Sequence, residues 1–149
     1  MKGCLFQVAG SIKYRTGVWD ITKFSGLGRK MPWTMAAFVV GAVSMVGIPP
    51  ACGFFSKWYL VLGCVDASNW IFVAVIVASS LLNAVYFFRI IEKAYTGKID
   101  SSNSELKAAK EPPASMLAPV LTLASGIFIL GFANAYIVMY LLEPMVRNL

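Results

Sequence analysis

From Pro32 to Ser56 the chain carries no charged residue, and the same holds from Ala67 to Phe88 and from Pro112 to Leu142. A hydrocarbon core of about 30 Å is crossed by about 20 apolar residues in a helix. A soluble domain of 149 residues has no interior large enough to hide three such runs. Hydrophobic residues make up 58% of the chain and charged ones 13%, against roughly 25% charged in ordinary soluble domains. No ten-residue alternation suggests a barrel, so helix is the state that satisfies the backbone in lipid. The expected fold class is all-α: polytopic transmembrane helices, with one partial helix, one broken helix and two further spans.

Residues 1–149 read as a single membrane domain built from four apolar blocks. Residues 1–12 are too short to span a bilayer. Lys2 before an apolar run resembles a signal peptide, but Gln7, the lack of an A-x-A site and the charges that follow argue against one. The block is expected to be part of a membrane helix completed by something outside this chain. Residues 13–30 are polar, a loop or surface helix. Residues 32–65 are apolar but, at about 50 Å of helix, too long for one straight span. Residues 70–91 form an uninterrupted span. The segment from Arg89 to Pro113 is a mixed-charge loop with a Ser/Asn-rich tip. Residues 117–142 form the last span, with Pro119 in its first turn, where a missing N–H costs little.

The net charge of +6 falls between the apolar runs, so it reads as loop charge that orients a membrane protein and not as a nucleic-acid surface. The 13–30 and 89–113 segments carry five bases each, and the turn from Val65 to Trp70 has none. Positive-inside logic places the two basic segments in the cytoplasm and the Asp66 turn outside. With no histidine, Ser–His and Cys–His nucleophiles are excluded. Cys4, Cys52 and Cys64 lie within apolar runs and read as small hydrophobes. No metal cluster, dinucleotide fingerprint or phosphate loop is visible, so no catalytic residue, metal or cofactor is expected.

The segment "GIPPACGFFSKWYL" breaks the longest apolar block. Pro49 and Pro50 cannot donate backbone hydrogen bonds, so the carbonyls of Met45 and Val46 lose their i+4 partners. Gly47 and Gly53 permit backbone angles that a helix does not use. Freed carbonyls in lipid cost several kcal/mol each unless protein or water satisfies them. Lys57 lies about 13 Å along a helix from Asp66, near the midplane. A half-helix starting near Phe54 puts Lys57 in its first turn, between the positive end of that half and the carbonyl end of the preceding one. A lysine so placed can exchange a proton inside the membrane. Lys2 is either a surface lysine or, if its helix continues upstream, a second relay candidate. Arg89, Glu92 and Lys93 read as an interfacial anchor, and Ser79, Ser80 and Asn83 as helix-to-helix bonds.

"MKGCLFQVAGSI", "FSGLGRKMPWTMAAFVVGAVSMVGIPPACGFFSKWYL" and "SSLLNAVYFFRIIEKAY" resemble the proton-conducting subunits shared by respiratory complex I and Mrp-type cation/proton antiporters, most of all the Mrp D subunit. The resemblance runs through residues 1–96 and is weaker from 112 onward. It implies that the chain is the C-terminal part of an antiporter-like subunit within a larger helix bundle, in a prokaryotic cytoplasmic membrane. It implies that Lys57 and Lys2 relay protons along a polar axis, with no cofactor in the subunit itself. Redox chemistry or exchange against sodium would drive the transport. The implied partners are other membrane subunits, including one that supplies the missing N-terminal helices. A structural subunit that serves assembly without transporting is the alternative.

Overall fold

A computed structural model describes residues 1–17, 25–96, 110–138 and 140. Its helices are α1 (Lys2–Thr16), α2 (Leu27–Lys30), α3 (Pro32–Val46), α4 (Cys52–Asp66), α5 (Trp70–Thr96), α6 (Ala114–Phe132) and α7 (Asn134–Ile137). No strand occurs among the described residues.

Several boundaries differ from the hydropathy reading, each for a local reason. The first helix does not stop at Ile12. Hydrogen-bonded turns continue through Lys13, Tyr14 and Arg15, and end where Gly17 turns left-handed with φ 62°, a conformation glycine adopts without penalty. The third span outlasts residue 91 by five residues because Glu92 to Thr96 are helix-compatible; the Thr96 hydroxyl closes that end by donating to the Glu92 carbonyl at 2.7 Å. The last span begins at Ala114, since Pro113 serves as its N-cap and its carbonyl accepts the amides of Met116 and Leu117. Pro119 therefore lies inside α6, not in its first turn, and α6 lacks one bond to the Ser115 carbonyl. The helix is also interrupted at Ala133 before α7. Asn134, a poor helix-interior residue, instead donates its side-chain amide to the Tyr59 hydroxyl at 3.2 Å. Residues 139 and 141–142 of the expected span, the Ser/Asn-rich tip and residues 18–24 lie outside the described residues.

The first half of the broken segment, α3, is the hub, touching α1, α2, α4, α5 and α6. Apolar residues at helical spacing explain this. Cys4, Val8 and Ile12 of α1, Met31, Met35 and Ala37 beside or within α3, and Val120, Ala124 and Ile127 of α6 form one buried cluster. Glycine leaves room for α1 against α3 where Leu5 lies over Gly41. Phe38 and Phe87 meet edge to face at 6.0 Å and join α3 to α5.

The contacts also sort the chain ends by height. Arg15, Glu111, Trp33 and Thr34 are bonded to one another, and Tyr95 lies over Gly28 of α2. The end of α1, the start of α3, the end of α5 and the start of α6 therefore share one end of the bundle. The turn at Asp66–Trp70 belongs to the other. Most of α5 faces outward: Ile71, Leu82 and Phe88 are 79%, 72% and 68% exposed, the surface of a helix that meets lipid or further protein.

Candidate functional site at the helix break

The two halves of the broken segment end by capping each other. A 15-residue helix such as α3 leaves its last four carbonyls without intrahelical partners. Gly47 turns left-handed at φ 91°, and the amides of Gly47 and Ile48 both donate to the Val43 carbonyl, at 3.0 and 3.1 Å. The Pro49–Pro50 bond is cis. The carbonyls of Met45 and Val46, which the prolines deprive of amide donors, accept instead from the Lys57 ammonium at 2.8 and 3.0 Å. The third ammonium hydrogen goes to Ser80 Oγ of α5 at 2.7 Å. An ammonium has three donors and no acceptor, so this set uses every one of them.

Lys57 reaches back because of where α4 begins. The helix starts at Cys52, not near Phe54, so Lys57 is in the second turn and not the first. Helical side chains lean toward the N-terminus, which carries Nζ back over the break to the end of α3. Gly47 makes room: a Cβ there would lie 3.1 Å from Lys57 Cδ. The cation thus sits at the negative end of the α3 dipole.

The reciprocal cap comes from α3. Ser44, fully buried, accepts the Gly53 amide at 3.3 Å through its hydroxyl, satisfying one of the first orphan donors of α4. Gly53 is obligatory on steric grounds, since a Cβ would overlap the Ser44 carbonyl oxygen. Gly131 of α6 is equally tight, against the Pro50 carbonyl. Three backbones therefore cross at the break.

The structure brings Gly47, Pro49, Pro50, Gly53 and Lys57 into this one site. Lys2 is exposed, in the first turn of α1. The Met1 sulfur lies against Gly53, so α1 begins at the depth of the break. Lys2 is not a direct partner of Lys57, whose three hydrogens are all engaged elsewhere. Sequence reasoning does not single out Ser44, Ser80 or Gly131 as parts of the site. Ser44 precedes the break by one helical turn, a spacing that could have pointed to a cap. Ser80 does make the helix-to-helix bond expected of it, with Lys57 as the unforeseen partner, whereas Asn83 donates to the Ser79 carbonyl of its own helix. Gly131 carries no local signal.

A profile described as "NADH:quinone oxidoreductase/Mrp antiporter, TM" matches residues 1–83. The chain is 49% identical over 147 residues to the N subunit of NADH-quinone oxidoreductase from Desulforudis audaxviator (strain MP104C), covering 93% of this chain and 29% of that protein. It is 35% identical over 145 residues to the D subunit of the Na(+)/H(+) antiporter from Alkalihalophilus pseudofirmus, covering 96% of this chain and 28% of that one. The fold also matches a chain in the structure of the Mrp complex from Dietzia sp. DQ12-45-1b, with a TM-score of 0.79 and 23% identity over 91% of this chain and 33% of that chain.

A membrane helix bundle with a lysine-closed break is thus what this chain brings to the antiporter-type class. The chain belongs to the NADH:quinone oxidoreductase/Mrp antiporter transmembrane family. Two of its helices, α5 and α6, are long and apolar enough to cross a membrane. The likeness to an Mrp D subunit read from the motifs holds, and the identity to the N-subunit relative is higher. The chain spans less than a third of the length of these two curated relatives.

Proposed function

We propose that this chain is the part of a proton-translocating membrane subunit that carries Lys57 as an intramembrane relay. One observation carries the reading: all three ammonium hydrogens of Lys57 are held by oxygens exposed or approached only because the helix is broken. The neutral amine left after proton loss has two hydrogens and a lone pair. It can donate to only two of those three oxygens, so it keeps the two carbonyls when the Ser80 hydroxyl turns from acceptor to donor toward the lone pair. The direction of that bond therefore depends on the proton. Lys57 gives its proton to a neighbouring acceptor and regains one from a donor, while its bond with the Ser80 hydroxyl reverses. Lys2, at the depth of the break, is the second relay candidate.

The proposed partners are other membrane subunits, including the portion that provides the helices absent here. The exposed face of α5 and an apolar cleft of about 530 Å³ between α3 and α5, running from Val46 and Ile48 to Arg89 and Glu92, offer surface to them. Proton translocation driven by redox chemistry and antiport against sodium are both compatible with this site. The membrane is proposed to be a prokaryotic cytoplasmic one.

A second reading has its own support. A fully bonded ammonium closing two orphan carbonyls is also what a purely structural cap looks like. Lys57→Arg separates the two. Arginine offers five donors to the same carbonyls but does not lose its proton in proteins. In the assembled complex reconstituted into vesicles, the relay reading expects normal assembly with proton transport reduced at least about 100-fold, the low end for removing a proton-transfer group. Assembly with wild-type transport in Lys57→Arg would overturn the relay and leave the structural cap.

A further inference from the structure

The other end of α3 is held by a charge as well. Pro32, at the first position of α3, has no N–H, so Trp33 and Thr34 carry the first orphan donors. Glu111 meets them from the segment leading into α6. Its Oε1 accepts the Trp33 amide at 2.8 Å, with the Thr34 amide at 3.5 Å, and its Oε2 accepts the Thr34 hydroxyl at 2.7 Å. Thr34 is completely buried. The backbone carbonyl of Glu111 accepts two bonds from the Arg15 guanidinium of α1, at 3.1 and 2.8 Å. Two residues on, Pro113 caps α6. One residue thus ties α1, α3 and α6 together at the helix end where a carboxylate is electrostatically favoured.

α3 therefore spans two charged groups, a carboxylate at its N-terminus and an ammonium at its C-terminus. As a rod of 15 residues it is about 22 Å long, so the two groups make no contact and the structural link between them is the helix itself. The Lys57 contacts of 2.8 and 3.0 Å tolerate a shift of less than about 1 Å before they cease to be hydrogen bonds. Sliding α3 by one residue would move its carbonyls about 1.5 Å and turn them by about 100°.

We propose that Glu111 is a positioning residue for the Lys57 site: it fixes the register of α3, so that the Met45 and Val46 carbonyls stay on the ammonium. The proposal rests on Lys57 being the relay, and it acts through α3 without touching the lysine. It is tested in the assembled complex in vesicles with Glu111→Ala, Glu111→Gln and Thr34→Val, reading proton transport together with amide hydrogen exchange by mass spectrometry. Glu111→Ala is expected to lower transport at least about tenfold, the factor that corresponds to one charge-assisted hydrogen bond. It is also expected to speed exchange at Gly47 and Ile48, at the far end of α3, and not only at Trp33 and Thr34.

Glutamine can accept from Trp33 and donate to the Thr34 hydroxyl, so Glu111→Gln is expected to restore both readouts. Faster exchange confined to the Trp33 end, or a Glu111→Gln variant as slow as Glu111→Ala, would overturn the proposal. If Glu111→Ala does not assemble, Thr34→Val removes one of the bonds and is judged by the same two readouts. Lys57→Arg at wild-type rate would overturn the relay, whereas the exchange at Gly47 and Ile48 still decides whether Glu111 holds the break.

Discussion

At the scale of single residues, the site is an exercise in hydrogen-bond accounting. Two prolines remove two donors, and one ammonium and its neighbours restore the balance. A methionine at position 57 therefore cannot be neutral under either functional reading, because it strands the Met45 and Val46 carbonyls in a low-dielectric interior. Ser80 is the more instructive position. Ser80→Ala removes the one side-chain acceptor while leaving both carbonyl bonds. A bond to a charged group contributes about 1.5–3 kcal/mol, so Ser80→Ala is expected to slow proton transport roughly tenfold or more in reconstituted vesicles without loss of the assembled complex. Unchanged transport would mean that Ser80 is a bystander.

Much of this is legible in the order of the residues. The identity of the two freed carbonyls follows from proline chemistry alone, and the proximity of a lysine follows from counting along the helix. The partner at Ser80 does not follow, since a residue 23 positions away is brought in by the register of α5 against α4, which the apolar pattern of α5 leaves open on most of its circumference. Glu111 is hidden for the same reason: in sequence it is one charge in a mixed-charge loop, and its role exists only because three helix ends converge on it.

At the scale of elements, the halves of the broken helix are held by contacts that tolerate no added atom. The glycines at 53 and 131 face backbone, which cannot yield as the tip of a flexible side chain can. Gly53→Ala is expected to push α4 away from Ser44, breaking the Gly53 amide bond and displacing Lys57 from its carbonyls. Gly131→Ala is expected to push α6 off the Pro50 turn. Overpacking of this kind typically costs about 1–3 kcal/mol, and both variants should lower the thermal unfolding midpoint of the purified complex. Gly126, beside open space, is the matched control, and its alanine variant should leave the midpoint within the range of ordinary surface substitutions. If all three behaved alike, the close crossing of backbones would not be a stability determinant. The element boundaries show the same division between local and tertiary signals. Gly17 marks the end of α1 in its own letters, whereas the interruption at Ala133 coincides with the reach of Asn134 to Tyr59 on another helix.

At the scale of the whole molecule, the helix ends alternate as the lysine and arginine distribution expects. Arg15, Lys30, Lys93 and Lys110 belong to one end and Asp66 to the other. In a cysteine-free background, a cysteine at Asn69 is expected to react with a membrane-impermeant maleimide added outside intact cells, and one at Lys110 only after the membrane is opened. The opposite pattern would invert the orientation while leaving the fold untouched. The outward face of α5, exposed and apolar, is a surface that lipid or further protein covers.

The crossing of three backbones at the break has one more consequence, and it concerns insulation. A route that conducts protons across a membrane dissipates the gradient it serves unless it is interrupted somewhere by matter that water cannot enter. Where Gly53 rests on Ser44 and Gly131 rests on Pro50 there is no room for a methyl group, and therefore none for a water molecule. Those two contacts close the backbone crossing at these points. If Lys57 is the relay proposed above, replacing the glycines that let the helices meet is expected to be felt as proton leakage as well as instability.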